Sequence, residues 1–435
     1  MKNIIYKTNT KGNLVIGGCD ATDLARQFGT PLYCLDFTVI KDVILDMTNA
    51  ISKEYPDSLI CYASKALSCL GMYQITNSFN LGTDVASGGE LYTALKANCD
   101  VSKIYFHGNN KTKKELSEAI DANIHAIVVD SEYEIELLNS LCKVANKTQG
   151  VLVRVNPGVE AHTHEYIQTA KVDSKFGFSI ENGTAQKIIK KIIESKNIKL
   201  LGLHCHIGSQ IFETEAFELA VDKMTDFLVK LKSSLKIDIA ELNMGGGFGI
   251  RYTNDDKPLK PSEYVKAICK KLKDCIKKKN IRPPKLILEP GRTIVGESGT
   301  TLYTVGAIKK IPDIKKTYIA VDGGMFENPR HALYTAKYAV ATATDPNGKK
   351  TQIVSIAGKC CESGDILAKD VKIQDVKSGD LLAIFSTGAY NYSMASNYNR
   401  NAIPPVILCR QGRAEYLIKP QTYDGIVARD CEFKL

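Results

Sequence analysis

Short runs of apolar and β-branched residues recur along the chain between residues 59 and 288, and polar or turn residues follow each run. Runs of this length and composition predict buried strands. They occupy residues 59–62, 81–85, 104–106, 126–129, 151–155, 200–205, 239–243 and 286–288. Helical periodicity lies between them, as at 181–196, where isoleucines 188, 189, 192 and 193 are predicted to share one side. Eight alternating strand and helix units predict an α/β fold with a (β/α)₈ TIM-type barrel.

The pattern changes after Pro290, where long helices no longer separate the strand-like runs. These runs, at 303–305, 318–321, 353–356 and 381–385, predict a mostly β C-terminal domain. Residues 14–16 and 32–34 are also strand-like, and a short helix is predicted at 21–28. We therefore expect a barrel at residues 35–289 and a β domain that combines 1–34 with 290–435.

Composition places the chain among globular proteins. It has 435 residues, of which 44% are hydrophobic, so disordered and collagen-like classes are excluded and two cores are expected. Its 57 Lys and Arg against 48 Asp and Glu give a net charge of +9, which is mild for this size. The basic cluster at 271–285 is interpreted as a solvated helix end, and no nucleic-acid partner is predicted.

The cysteines and the N-terminal residues bear on the compartment. The 13 cysteines are an odd number without a repeated spacing, and the first ten residues are polar. No apolar run approaches the roughly 20 residues that a membrane helix needs. We predict a cytoplasmic protein with free thiols and no membrane partner.

Chemically useful side chains follow the predicted strands, and in barrels of this type such groups meet at the carboxyl ends of the strands. A glycine-rich turn, a hydroxyl and an arginine together make a phosphate site, and a lysine and a carboxylate would surround whatever carries that phosphate. The residues concerned are Lys65, Ser209, Gly246, Gly247, Glu289 and Arg292.

A lysine beside a phosphate site suggests pyridoxal 5'-phosphate bound as a Schiff base. Glu289 would then keep the pyridine nitrogen protonated, which suits reactions that leave a carbanion at Cα. His204 and His206 could form a metal pair, but alternating residues of a strand point to opposite faces, so no metal is predicted.

The motifs as an ordered set resemble the diaminopimelate decarboxylase family, in the group of pyridoxal-phosphate decarboxylases that share the alanine-racemase-like fold. The resemblance covers nearly the whole chain. Its motifs are at residues 29–33, 62–66, 84–91, 156–158, 162–164, 174–178, 204–210, 245–249, 289–292, 330–334, 361–365 and 388–390.

This resemblance implies a role for each site residue. Lys65 would form the Schiff base, His206 would stack on the cofactor ring, and Glu289 would bind the pyridine nitrogen. The phosphate ligands would be Ser209, Gly246, Gly247, Arg292 and Tyr390. The ligands of the substrate's far end would be Arg292, Arg330, Tyr334 and Tyr390 for its carboxylate and Glu362 for its ammonium. Cys361 would protonate the carbon after carbon dioxide leaves.

In this family the cysteine and the glutamate reach into the partner's active site, so a head-to-tail homodimer is implied. The implied reaction is decarboxylation of meso-2,6-diaminopimelate at its D centre to L-lysine, the last step of lysine synthesis by this route. An adjacent thiol, Cys360, leaves it open which of the two cysteines acts, and the position before Glu362 favours Cys361.

Three alternatives stay open. One is a decarboxylase of ornithine, arginine or carboxynorspermidine, although relatives that act on ornithine typically have Asp where this chain has Glu362. An alanine racemase pairs the pyridine nitrogen with Arg, so Glu289 argues against it. The third is a non-catalytic regulatory homologue, which would be expected to lose Lys65 or Cys361.

Overall fold

A computed structural model of the chain describes residues 5–159 and 175–434. Within these ranges the chain divides into two compact units. We call Val43–Ile250 with Pro258–Ile294 the barrel unit. The other, which we call the β unit, comprises Met1–Asp42, Arg251–Lys257 and Val295–Leu435.

The strands follow one another along the whole chain. In chain order they are β1 Val15–Ile16, β2 Cys19–Asp20, β3 Leu32–Asp36, β4 Ser58–Ala63, β5 Gly82–Val85, β6 Ile104–Phe106, β7 Ala126–Val129, β8 Gln149–Asn156, β9 Phe178–Ser179, β10 Ile198–His204, β11 Glu241–Asn243, β12 Lys285–Leu288, β13 Gly299–Ile311, β14 Lys316–Val321, β15 Val340–Thr342, β16 Gln352–Ala357, β17 Ile366–Ile373, β18 Leu381–Phe385, β19 Val406–Arg410 and β20 Arg413–Ile418.

The longer helices lie between the strands of the barrel unit. In chain order the helices are α1 Ala21–Phe28, α2 Phe37–Glu54, α3 Leu70–Ser78, α4 Gly88–Lys96, α5 Lys113–Asp121, α6 Glu132–Ala145, α7 Thr184–Glu194, α8 Glu215–Leu235, α9 Pro261–Lys279, α10 Arg292–Val295, α11 Arg330–Tyr334 and α12 Tyr423–Val427.

Eight parallel strands close the barrel in the order β4, β5, β6, β7, β8, β10, β11 and β12, and β12 pairs back with β4. Each corresponds to one of the eight predicted runs. Parallel strands covered on both faces are expected to be continuously apolar, and Ala126–Val129 is buried throughout. Inside the barrel, Tyr105, Leu152 and Ile287 belong to one packed cluster. The predicted fold class is therefore confirmed for the barrel.

Helix boundaries follow local sequence signals. Thr112 and Glu115 form a capping box that satisfies the free N–H groups at the start of α5. In α7, Ile188, Ile189 and Ile192 are buried, but Ile193 is 45% exposed, so placing it on the buried side was wrong. At 100° per residue, Ile193 lies about 140° from Ile188, outside the apolar stripe.

The β unit is built on a mixed sheet in the order β17, β16, β14, β13, β3, β19 and β20, with β18 paired to β13 and β15. The N-terminal strand β3 lies between β13 and β19, antiparallel to the first and parallel to the second. Leu32 and Leu302 pack in its core. A separate, mostly β unit is thus confirmed. Among the described residues, no helix has both the length and the apolar character to cross a membrane.

Candidate active site

Glu289 lies directly after barrel strand β12 and is 6% exposed. Three side chains hold its carboxylate. Oε1 is 2.6 Å from the amide nitrogen of Asn243 and 2.8 Å from Nε2 of His107, and Oε2 is 3.1 Å from Nε2 of His204. The three partners come from the carboxyl ends of β6, β10 and β11, so the site is assembled from strands on different sides of the barrel mouth.

The ionisation of this cluster follows from its hydrogen bonds. Burial by itself would raise the pKa of Glu289, but His107 and His204 lower that pKa well below its usual range. An ionised carboxylate can only accept, so both imidazoles donate through Nε2. Burial lowers the pKa of His204 to about 4, which makes it a neutral donor. The Glu289 carboxylate is consequently a buried anion near neutral pH.

A second buried carboxylate, Asp84, lies one residue before the end of strand β5, next to this cluster. Its Oδ1 is 3.6 Å from Nε2 of His107. Burial and the charge of Glu289 raise the pKa of Asp84 to about 6, although His107 and Lys65 act in the opposite direction. His107 thus stands between two carboxylates.

His107, His204 and Glu289 have ligand atoms of the kinds that bind metal ions, all within 4.8 Å of one another. Hydrogen bonds among the three side chains already explain this convergence. The expectation of no resident metal stays a prediction.

The glycine-rich loop after β11 approaches its neighbours too closely for side chains. A Cβ at Gly246 would collide with the carbonyl oxygen of Glu289, and one at Gly247, whose φ is +110°, with that of Gly208. Arg292 donates from Nη2 to Oγ of Ser209 over 3.0 Å. The structure therefore brings the predicted phosphate ligands of the barrel to the same mouth as Glu289.

Lys65 and His206 complete the barrel part of the site. Lys65 lies in the short 3₁₀ turn Ser64–Ala66 that follows β4, and it is exposed. The Gly246 N–H donates to Nδ1 of His206 over 3.4 Å. Burial, helped by the charge of Lys65, lowers the pKa of His206 well below its usual value. His206 is therefore a neutral, half-buried ring, as a group that stacks on an aromatic cofactor should be.

Arg330 begins α11 in the β unit and is buried among aromatic rings. Its Nη1 donates to the hydroxyl of Tyr338 over 2.9 Å, and its guanidinium lies 5.0 Å from the ring centroid of Tyr252. Tyr334 ends the same helix and is half-exposed. Tyr390, whose φ is +64°, precedes Asn391, and the Asn391 amide donates to the Tyr338 hydroxyl over 3.2 Å.

The two adjacent cysteines differ in burial. Cys361 is exposed, whereas Cys360 is buried and accepts a 3.8 Å hydrogen bond from the Asn401 amide. Burial and the neighbouring Asp365 raise the pKa of Cys360 to about 11. Glu362 is exposed, and its carboxylate accepts from the Gly364 N–H over 3.1 Å. The geometry thus favours Cys361 as the thiol open to a substrate.

Part of one predicted motif lies outside the described residues. His162, Thr163, His164 and Ser174 fall there, whereas Phe176 is described and its ring lies 4.2 Å below the Arg154 guanidinium.

Residues 41–296 match the family model described as "Pyridoxal-dependent decarboxylase, pyridoxal binding domain". The chain is 48% identical to the diaminopimelate decarboxylase of Bacillus subtilis over 98% of this chain and 97% of that one. The chain belongs to the diaminopimelate decarboxylase family. A Staphylococcus aureus enzyme of the same name is 47% identical over 98% of this chain and 99% of its own.

Solved structures agree with this assignment. The diaminopimelate decarboxylase of M. jannaschii in co-complex with L-lysine has a TM-score of 0.90 and 36% identity, and covers 98% of this chain and 97% of that one. The Helicobacter pylori enzyme complexed with L-lysine has a TM-score of 0.85 and 30% identity, over 94% and 98% of the two chains. The predicted family, decarboxylase activity, pyridoxal cofactor and fold group are confirmed.

The residues present fit that cofactor, because the buried anion Glu289 suits a protonated pyridine nitrogen and the Gly246–Gly247 turn suits a phosphate. Sequence reasoning gave no role to four residues around Glu289, namely Asp84, His107, His204 and Asn243. The signal for them was present, since each lies within one residue of the carboxyl end of a barrel strand.

Proposed function

We propose that this chain removes one carboxylate of meso-2,6-diaminopimelate as carbon dioxide and returns L-lysine, as the last step of lysine synthesis by this route. The observation that carries the chemistry is the buried, ionised Glu289 at the barrel mouth. When bound there, pyridoxal phosphate withdraws electrons from the carbon that loses the carboxylate. That chemistry requires a protonated ring nitrogen, which an anion such as Glu289 favours.

The barrel residues bind and orient the cofactor. Lys65 supplies the amine that holds it covalently, and His206 supports one face of the ring. The proposed phosphate ligands are Ser209, Gly246, Gly247, Arg292 and Tyr390. Glu289 accepts a hydrogen bond from the protonated pyridine nitrogen and so keeps that nitrogen protonated.

The far end of the substrate carries both a carboxylate and an ammonium. Arg330 is buried and hydrogen-bonded to the hydroxyl of Tyr338, so its guanidinium is suited to bind that carboxylate. The other proposed ligands of the carboxylate are Arg292, Tyr334 and Tyr390. Glu362 binds the ammonium. A substrate that lacks either charge would leave one of these groups without a partner, which disfavours its binding.

Cys361 delivers a proton to the carbon that has lost its carboxylate. It is the exposed thiol of the pair, and a thiol, with an ordinary pKa of about 8.5, is a reasonable acid near neutral pH. Cys361 and Glu362 serve the site of a partner chain in a head-to-tail homodimer, and the enzyme works in the cytoplasm. In this organisation residues 35–289 bind the cofactor, and 1–34 with 290–435 complete the partner's site.

The direct test is release of lysine and carbon dioxide from meso-diaminopimelate in the presence of pyridoxal phosphate. Ornithine, arginine and carboxynorspermidine are run in parallel. Lysine release from meso-diaminopimelate alone is expected. Turnover of another substrate would contradict the roles of Arg330, Tyr334 and Glu362 and leave the cofactor site intact.

Lys65→Ala separates an enzyme from a regulatory homologue. Loss of the covalent anchor should lower kcat by about 10³-fold or more. The visible absorbance of bound pyridoxal phosphate should be lost as well. Lys114→Ala, a change at an exposed lysine that pairs with Glu118, is the matched control and should keep both properties. Equal turnover by the two variants would contradict the proposal.

A further inference from the structure

The hydrogen bonds at Glu289 are unequally shared between its two oxygens. Oε1 accepts from both His107 and Asn243, and so both of its lone pairs are used. Among the described residues, His204 alone donates to Oε2. Oε2 therefore keeps one lone pair for a further donor.

The two imidazoles form one unit around this carboxylate. The rings of His107 and His204 pack edge to face with their centroids 4.7 Å apart, so the two side chains are in direct contact. Both are buried, and they come from the ends of different strands. Nδ1 of His204 is buried without a hydrogen-bond partner among the described residues, which fits a ring oriented entirely by its Nε2 bond.

His107 also separates two buried negative groups. Its Nε2 is 2.8 Å from Glu289 and 3.6 Å from Asp84. Without a donor between them, two carboxylates in an apolar interior would compete for one proton, because both cannot remain ionised there. A proton taken up by Glu289 would remove the negative charge that favours a protonated ring nitrogen, and on Oε2 it would occupy the lone pair that is left for that nitrogen.

We propose that His107 and His204 are positioning residues. Their hydrogen bonds keep Glu289 ionised and orient its carboxylate, so that the unused lone pair of Oε2 is available to the pyridine nitrogen of the cofactor. This inference rests on the proposed role of Glu289. Neither histidine is expected to touch the reacting carbon. Their removal should therefore weaken the interaction with one ring atom of the cofactor and leave the phosphate site unchanged.

The test compares binding of pyridoxal phosphate with binding of its 1-deaza analogue, which has carbon in place of the pyridine nitrogen. Full-length apoenzyme is titrated with each ligand, and the ratio of the two Kd values is the readout. His107→Phe keeps a ring of similar size without the donor. It should lower the preference for pyridoxal phosphate about tenfold to a hundredfold, the usual effect of losing a hydrogen bond to a charged group. A merely structural role would weaken both ligands equally.

His107→Gln is the conservative variant, because its amide can still donate where Nε2 did. It should recover part of the preference, and it also serves if His107→Phe folds poorly. The matched control is His125→Phe, since His125 forms a similar 2.7 Å pair with Glu241 at the opposite, amino-terminal end of the barrel strands. The control should leave the Kd ratio unchanged.

A second readout follows the ring proton itself. Solid-state NMR of enzyme loaded with pyridine-¹⁵N pyridoxal phosphate should report a protonated nitrogen in the unmodified enzyme and a shift toward the unprotonated value in His107→Phe.

Glu289→Gln separates the role of Glu289 from the role of the two histidines. If Glu289→Gln keeps the full preference for pyridoxal phosphate, the role of Glu289 is wrong. If Glu289→Gln loses the preference but His107→Phe and His204→Phe keep it, only the proposed positioning role of the two histidines is wrong.

Discussion

In the barrel unit, Glu289 is buried and accepts hydrogen bonds from three side chains, whereas in the β unit Cys361 and Glu362 lie exposed in a turn. The barrel site is thus already built, with its charge and orientation set by the surrounding strands. Within the described part of the chain, the Glu362 carboxylate accepts from the Gly364 N–H and the Cys361 N–H donates to Asn399, so other side chains do not hold these two side chains as they hold Glu289. This difference is what a site completed by a second subunit would require.

Mixing two inactive variants is the most direct test of whether the barrel part and the β part of one site come from different chains. Lys65→Ala damages the barrel part of the site and Cys361→Ser damages the β part. If each site combines parts of two chains, exchange of subunits at equal amounts makes half of the dimers mixed, each with one intact site. About a quarter of the normal activity should then return.

Lysine release measured before and after subunit exchange checks this recovery. The matched control mixes Lys65→Ala with Glu289→Gln, which damage the same part of the site and should show no recovery. Activity that stays at the level of the separate variants in the first mixture would mean that each chain builds its site alone.

Exchanging each adjacent thiol for a hydroxyl sharpens the comparison within the β unit. Cys361→Ser should lower kcat by about 10²- to 10³-fold, because serine is a far weaker acid at the carbon to be protonated. Cys360→Ser should change kcat only a few-fold, because Cys360 is buried and its pKa is raised to about 11. Steady-state kinetics of both variants, with matched Tm values, measure the difference, and a larger loss in Cys360→Ser would reverse the assignment.

The smallest expected effect concerns a buried carboxylate in the β unit that has no assigned role in the reaction. Glu327 is buried and accepts hydrogen bonds from the hydroxyls of Tyr33 and Tyr303. Burial raises its pKa to about 7. Because the folded protein then binds a proton more tightly than the unfolded chain, the stabilisation is present below about pH 4.5 and is lost as the pH rises through 7.

The free energy of unfolding should fall by about 3 kcal/mol as the pH rises across this range. Urea unfolding between pH 5 and pH 8, followed by tyrosine fluorescence, measures it. Glu327→Gln should reduce the change in unfolding free energy between pH 5 and pH 8 by about 3 kcal/mol. The control Glu415→Gln, at an exposed residue of the same unit, should leave that change as it is. A pH dependence that is unchanged in Glu327→Gln would show that the group titrates elsewhere.

The barrel could be predicted from sequence because its strands are buried on both faces and so read as continuous apolar runs, as in Ala126–Val129. The positions of Glu289 and Lys65 could be predicted because Glu289 directly follows such a run and Lys65 lies two residues after strand β4. The partnership of His107 with Glu289 could not, since 182 residues separate them and only the closed strand order brings them together. The exposure of Ile193 follows from helix geometry, because it lies farther around α7 from Ile188 than the buried Ile189 and Ile192 do.

Asn243 has a consequence of its own. Its amide nitrogen donates to Glu289, and its amide oxygen accepts from the Gly245 N–H over 2.9 Å. One rigid side chain therefore spans the interval between the carboxylate and the start of the glycine turn. The distance between the carboxylate and the glycine turn is set in advance by the length of this one amide side chain.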